Sequence, residues 1–484
     1  MPPRHVLLTG ATGYIGGRLL PALEARGWRV RCLCRNPAAL AHRVAFSTEI
    51  AAGDCLDEAS LARAFEGVEV AYYLVHSMAA SADFEDTDRR AASTFARAAA
   101  AAGVRRIVYL GGLGESAAGL SAHLKSRQET GALLGAAGVD VIELRASIVI
   151  GAGSLSFEMI RALVERLPVM VCPRWVAVQA QPVGIDDVVE YLAQAGEARE
   201  LPPGIYEIGG PDVVSYGDIM REYARQRGLR RLLVPIPLLT PYLSSLWLGL
   251  VTPLYSRVGR LLIEGMRNQT IVRHPEPASR MEVRPRGLRE AVTAAIADRS
   301  RNVERLLAEL PGRDPAANLR ALRDYGCLLD SREASVDAAP AAAFEPIRRI
   351  GGETGWYYGN ALWRLRGWMD RMAGGVGMRP GRPASGDLPI GSALDFWRVV
   401  FFEPGRRLTL SAEMKLPGRA WLQFDVTPAG AGGARIQQTA LFDPRGLAGH
   451  LYWWALLPAH AVIFSGMLRE IAKRAGDARS TSAS

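Results

Sequence analysis

The order of elements in this chain predicts a doubly wound parallel α/β sheet followed by a smaller antiparallel α+β domain. Three observations carry that prediction. Apolar strands and helices alternate from residue 1 to about 150, as a parallel sheet with helices on both faces requires. A glycine-spaced turn joins the first strand to the first helix. Beyond about residue 340 the pattern changes to consecutive strands and then one long apolar helix.

Strands are read at 5–9, 28–34, 48–52, 70–75, 106–111 and 141–145, with helices between them that include the alanine-rich run Arg89 to Ala102. From about 151 to 330 short strands near 176–179 and 205–208 alternate with helices near 186–196 and 216–227, so this stretch is expected to form the substrate side of a single 1–330 unit. Residues 328–342 read as a boundary, because seven of the ten tryptophans lie beyond them. The second domain, 331–475, shows strands at 394–402, 406–415, 419–427 and 434–442 and an apolar helix over 451–468; residues 476–484 read as a polar tail.

The most specific motif is Val6-Leu-Leu-Thr-Gly10-Ala-Thr12-Gly13-Tyr14-Ile15-Gly16. Strand, turn and helix occur in the order that gives each glycine a task. Gly10 makes the tight turn, Gly13 lets the backbone approach a pyrophosphate, and Gly16 lets the helix pack closely on the strand. The free N–H groups of the helix start then face the phosphates. Arg35 follows the second strand, where a cation suits the 2′-phosphate of NADP and an acidic residue would instead hold the ribose of NAD. NADP is therefore the preferred cofactor, with NAD the alternative. Asp54, at the end of the third strand, is placed either to reach an adenine amino group or to cap the next helix. Leu74 and His76, at the end of strand four, are placed near the nicotinamide, where His76 is either a second candidate proton donor or a hydrogen-bonded wall of the pocket.

Composition narrows the function classes. Of 484 residues, 49% are hydrophobic and 22% charged, the balance of a folded globular chain. The net charge of +9 comes almost wholly from arginine, since only Lys125, Lys415 and Lys473 are lysines. The arginines are scattered without interleaved aromatics, which argues against nucleic acid as a partner but leaves anionic ligands and membrane surface open. Cys32, Cys34, Cys55, Cys172 and Cys327 form no ligand spacing, and the histidines are dispersed, so no metal site is predicted. They read as buried thiols of a reducing cytoplasm. Leu232 to Tyr255 lacks charge but holds four prolines, which suits a buried or membrane-surface segment better than a span.

With these residues in view, the first 330 positions resemble an atypical extended short-chain dehydrogenase/reductase of the NmrA-like or complex I accessory-subunit-like type. Tyr72-Tyr-Leu-Val-His76, Arg145-Ala-Ser-Ile-Val-Ile-Gly151 and Gln181-Pro-Val-Gly-Ile-Asp-Asp187 contribute to the likeness. The resemblance implies an NAD(P)-binding Rossmann domain with its substrate pocket over the C-terminal strand edges. It also implies a catalytic Tyr-x-x-Ser-Lys helix, and here the chain departs. The matching stretch is His123-Leu-Lys-Ser126-Arg127, and Gly111-Gly112 stand where the family has its serine. His123 is the candidate proton donor, since histidine titrates near neutrality. Arg127, one turn on, cannot exchange a proton but can hold a ribose or a substrate anion.

In the C-terminal region, Asp395-Phe-Trp-Arg398, Ala412-Glu-Met-Lys-Leu-Pro-Gly-Arg-Ala-Trp421 and Gln438-Thr-Ala-Leu-Phe442 resemble an uncharacterised domain often fused behind such dehydrogenases. Its layout is similar to helix-grip, START-like folds, which implies an apolar cavity. Trp397, Met414, Trp421, Phe424 and Trp454 are available to line one or to fill a core. Three functions follow: an NADPH-dependent oxidoreductase of a small or lipophilic carbonyl, enone or quinone; a non-catalytic NADP(H) sensor or assembly protein; or a peripheral membrane or lipid-binding protein.

Overall fold

The computed structural model describes residues 4–41, 43–75, 84–114, 119–236, 264–310, 315–379, 388–430 and 432–482. The chain divides into two compact units, the first taking most of residues 1–300 and the second residues 301–484 with Glu165–Pro168.

The first unit is built on seven strands: β1 (His5–Thr9), β2 (Arg29–Cys34), β3 (Glu49–Ala52), β4 (Val70–Tyr73), β5 (Arg106–Gly112), β6 (Asp140–Ala146) and β7 (Gly204–Ile208). Their spatial order is β7-β6-β5-β4-β1-β2-β3, and every pairing is parallel. The order reverses at β1, where β1 pairs with both β2 and β4. Such a switch point opens a crevice at the C-terminal strand ends, the usual ligand position in open α/β sheets.

Both faces of the sheet are covered, and the sequence shows why. Alternate residues of β1 feed different cores: Val6 and Leu8 pack with Leu19, Leu20 and Leu23 of α1 (Gly16–Ala25), whereas Leu7 packs with Leu61 of α2 (Glu58–Ala64) and Phe95 of α3 (Phe84–Ala101). The helices α4 (Ala122–Gly135), α5 (Leu155–Arg166), α6 (Ile185–Glu197) and α7 (Tyr216–Gln226) follow. A buried cation ties α6 down. Arg106, 1% exposed at the start of β5, donates to the carbonyls of Ala195 and Leu201 at 3.1 and 2.7 Å, and so stabilises the open C-terminal end of that helix.

The second unit holds a six-stranded antiparallel sheet: β8 (Leu328–Val336), β9 (Ala393–Leu394), β10 (Trp397–Glu403), β11 (Arg407–Ala412), β12 (Gly418–Ala429) and β13 (Gly433–Pro444), in the order β8-β13-β12-β11-β10-β9. Helices α8 (Leu288–Ala308), α9 (Pro315–Asp324), α10 (Pro340–Arg348), α11 (Asn360–Met372) and α12 (Gly446–Ser482) accompany it.

Several expectations are corrected here. Residues 328–342, read as a boundary, lie within the second unit: β8 pairs with β13 through nine residues and α10 follows. Its Asp330, Arg332 and Glu333 disguise a strand because it lies at the sheet edge, where polar residues are tolerated. The unit also begins earlier than 331. Val303, Leu306 and Leu307 at the end of α8, with Leu322 of α9, pack against Trp421 and Leu441 of the sheet. Trp421 therefore belongs to the sheet face turned away from α12, and Trp454 is exposed to solvent, so neither lines an interior shared with Trp397 and Phe424. Met414 is half-buried beside that core. The expected strand near 176–179 is largely a 3-10 turn, Arg174–Ala177, and the polar tail from 476 continues α12 to Ser482. Glu413 pairs with Arg398 at 2.6 Å and with Arg379 at 2.9 Å.

Candidate functional site

The glycine turn caps the C-terminal end of β1. Gly10 has φ +71°, and a Cβ there would lie 2.3 Å from the Leu74 carbonyl oxygen. Gly16 packs so closely that a Cβ would meet the Gly10 carbonyl oxygen at 2.4 Å. Only glycine satisfies both positions. The turn is fastened to β4 through Thr9, whose Oγ1 donates to the Tyr72 carbonyl at 2.9 Å and accepts from the Leu74 amide at 3.1 Å. Leu74 thus packs its backbone against the turn. His76 lies outside the described residues. Thr12 and Gly13 are exposed at the mouth, and Ile15 packs back on the core. Tyr14 carries the Arg18 guanidinium 5.1 Å from its ring centroid, and its hydroxyl lies where a Cβ on Gly151 would be, 2.2 Å away.

Such a cradle fits a dinucleotide pyrophosphate: at Gly10 and Gly16 the backbone packs where no Cβ could stand, at the N-terminal end of α1. Arg35 is exposed just beyond β2, with no ion pair among the described residues. A second cation, not singled out from the sequence, stands closer: a Cβ on Gly17 would meet Arg43 Nη2 at 2.9 Å. Only the fold reveals it, because the loop after Pro37 returns to the start of α1. Asp54 is half-buried, and its Oδ1 accepts the Leu56 amide at 3.0 Å. The helix cap that Asp54 was offered as an alternative is made by Asp57, which accepts from Ala59 at 3.1 Å.

At the other end of the crevice, α4 starts beside the end of β5. Ser121 caps it by accepting the Leu124 amide, and the loop before it is held by Asn268, which accepts from Ser121 N at 3.2 Å and donates to the Gly119 carbonyl at 3.3 Å. His123 is half-buried in the first turn. Arg127 lies on the same helix one turn on, but its guanidinium donates to the Leu110 carbonyl and lies 5.6 Å from the centroid of the Tyr109 ring. Tyr109 in turn donates from its hydroxyl to the Arg127 carbonyl at 2.9 Å. Arg127 thereby clamps α4 to β5. Lys125 is exposed, with Glu129 at 4.0 Å, and Glu129 pairs more closely with Arg89 at 3.1 Å.

Gly111 and Gly131 let β5 and α4 close over Glu143. A Cβ on either would lie 2.7 or 2.3 Å from its carboxylate oxygens, which Arg145 holds at 2.7 Å. Beyond β6, Ser147 Oγ lies 2.6 Å from Thr270 Oγ1, and burial pushes the nearby Tyr216 hydroxyl up to about 12. Asn268, Thr270 and Ser147 thus bring hydroxyl and amide groups to the strand ends across more than a hundred residues of sequence. No local pattern announces them. Among the described residues no group of three metal-ligating side chains is found.

Comparison with known proteins agrees with this geometry. Residues 2–117 match the NmrA-like family. The N-terminal region is an NmrA-like NAD(P)-binding Rossmann domain. Residues 327–467 match a protein family of unknown function, DUF2867, which gives the C-terminal region its family. Among curated proteins, the chain is 36% identical over 116 residues to sterol demethylase protein B of Methylococcus capsulatus, covering 22% of this chain and 34% of that protein. It is 27% identical over 237 residues to the ceramide reductase of Caulobacter vibrioides, covering 48% and 73%. The match thus spans about a third of the length of the first relative. The triphenylmethane reductase of Citrobacter sp., solved with NADP(H), superposes with a TM-score of 0.51 at 15% identity, covering 60% of this chain and 99% of that one. The NmrA-like domain therefore shares the fold of that structure.

Proposed function

We propose that this NmrA-like protein is an NADPH-dependent oxidoreductase that reduces a carbonyl, enone or quinone on a lipophilic substrate in the cytoplasm. The observation that carries the reading is the placement of His123 on the first turn of α4, at the position of the family's catalytic tyrosine and beside the end of β5. A nicotinamide dinucleotide held at the glycine turn over Gly10, Gly13 and Gly16 would supply the hydride for the carbonyl carbon. His123 gives the proton to the carbonyl oxygen, so a ketone and NADPH become an alcohol and NADP⁺. Arg127 is the positioning residue that holds α4 against β5. Arg35 and Arg43 receive the 2′-phosphate side of the cofactor. Ser147 and Thr270, with residues 151–236 and 264–300, form the substrate side. The names of the two curated relatives, a sterol demethylase protein and a ceramide reductase, favour a lipophilic substrate, and the layout of α12 on an antiparallel sheet supports a START-like role for the second unit.

The test is a fluorescence titration with NADPH and NADH, followed by addition of aldehydes, enones, quinones and long-chain keto lipids to the same protein. Turnover that disappears in His123→Ala while NADPH still binds supports the proposal. Tight NADPH binding with no oxidation by any class would favour the sensor instead. The guanidinium of Arg127, already engaged by Leu110 and Tyr109, is the observation behind that second reading.

A further inference from the structure

Helix α11 is amphipathic in the reverse sense to a core helix. Its inner face is Trp363, Gly367 and Asp370, all buried. Asp370 fixes that face in place, accepting the Lys415 amide at 2.7 Å and the Gly377 amide at 2.9 Å. Trp363 adds ring contacts to Trp356 at 5.2 Å and Phe464 at 6.3 Å. At about 100° per residue the opposite face carries Leu362, Leu365, Trp368, Met369 and Met372. All five are exposed, Trp368 by 60% and Met372 by 72%. A soluble surface helix would place its charges there. In α11 they stand at the margins instead: Arg364 and Arg371, seven residues apart, flank one edge of the apolar stripe and Arg366 the other.

The neighbouring helix repeats the pattern. Tyr358 packs its ring where a Cβ on Gly466 would fall, and Ile463 lies 3.7 Å from the Cβ position of Gly359, so α11 starts against the middle of α12. The first half of α12 exposes Leu451, Trp454 and Val462 and has no Asp, Glu, Lys or Arg from Gly446 to Leu468. Its described length and composition are those of a segment able to enter a bilayer, although its inner residues Trp453, Phe464, Met467 and Leu468 are buried in the unit. Apolar side chains facing out, tryptophans among them and arginines along the edge make the signature of a helix lying in the headgroup layer.

We infer that the outer face of α11, continued by Leu451, Trp454 and Val462 of α12, docks the protein on an anionic phospholipid surface. The apolar stripe enters the acyl boundary, and Arg364, Arg366 and Arg371 meet lipid phosphates. Charge complementarity selects this occupant over a second copy of the chain, since a symmetric contact would bring the same arginines together. The inference concerns the second unit alone and stands whether or not the first unit turns over a substrate.

Co-sedimentation of the full chain with phosphatidylglycerol vesicles, and separately with phosphatidylcholine vesicles, tests it. The protein is expected to pellet with the first and more weakly with the second. Trp368→Asp with Met369→Asp lowers partitioning roughly tenfold or more on both. Arg364→Gln with Arg371→Gln lowers it about fivefold per charge on phosphatidylglycerol only. All four residues are exposed, so far-ultraviolet circular dichroism and NADPH binding should match the parent protein. Two results overturn the inference: a parent chain that stays in the supernatant with phosphatidylglycerol, or an aspartate variant that pellets like the parent. A dimer by light scattering that Met369→Asp converts to monomer, without vesicle binding, would assign the face to a second copy.

Discussion

The two ends of the crevice in the NmrA-like domain are built on opposite terms. At the phosphate end the backbone decides everything: Gly10 and Gly16 sit where any Cβ would collide with backbone atoms. At the end beside α4, the reducing end of the proposed reaction, the side chains decide: where the resemblance implies a serine, a tyrosine and a lysine, the chain has Gly111-Gly112, His123 and Arg127. The contrast teaches that a fold can hold its cofactor geometry fixed while its chemistry changes, because the two are specified by different atoms.

The largest expected effect belongs to the phosphate end. Gly10→Ala forces a non-glycine residue to φ +71° and a methyl group to 2.3 Å from the Leu74 carbonyl oxygen. Strain of about 1–3 kcal/mol follows, and relief requires the turn to move. Titration should show NADPH affinity lost by roughly a hundredfold, with a lower Tm. Near-normal binding in this variant would break the comparison, since the backbone would then not be the determinant.

The reducing end is probed by its own replacements. Under the proposed mechanism His123→Ala lowers kcat about 10²- to 10⁴-fold with little change in NADPH affinity. His123→Tyr, which brings back the family's donor, should retain far more turnover than alanine. Arg127→Lys is expected to act differently, through the α4–β5 clamp. It loses the fork that reaches Leu110 and the contact with Tyr109, at a cost of about 1 kcal/mol in stability. A thermal melt and a kcat measurement separate the two roles. If Arg127→Lys abolished turnover without moving Tm, Arg127 would belong to the chemistry and not to the clamp.

How much of this was legible in the sequence divides along the same line. The parallel strands, the glycine turn and Leu74 were readable because each depends on neighbours within a few residues. The register of His123 and Arg127 was readable too, but the partner of Arg127 was not, since Leu110 lies seventeen residues away on another element. Asn268 and Thr270 reach the site from more than a hundred residues off. In the second unit β8 reads as a domain boundary, because its polar residues suit an edge strand and carry no apolar alternation. Trp421 and Trp454 were assigned one interior, whereas β12 is buried on both faces and the α12 residue points to water.

The smallest effect sharpens the comparison most, because it is electrostatic and sits beyond the phosphate end, after β2. Arg35 is exposed, so its pairing with a 2′-phosphate is screened and worth about 1 kcal/mol, a loss of roughly fivefold in NADPH affinity for Arg35→Ala. NADH lacks that phosphate, and its affinity should not change. Added salt should shrink the difference between parent and variant. Arg35→Asp should go further and favour NADH, since a carboxylate repels the phosphate and accepts from the ribose hydroxyls. Arg43, beside Gly17, is the control. If Arg43→Ala costs more NADPH affinity than Arg35→Ala, the phosphate is held over the start of α1 and not at the end of β2. If Arg35→Ala weakens NADPH and NADH equally, Arg35 shapes its loop and does not read the cofactor.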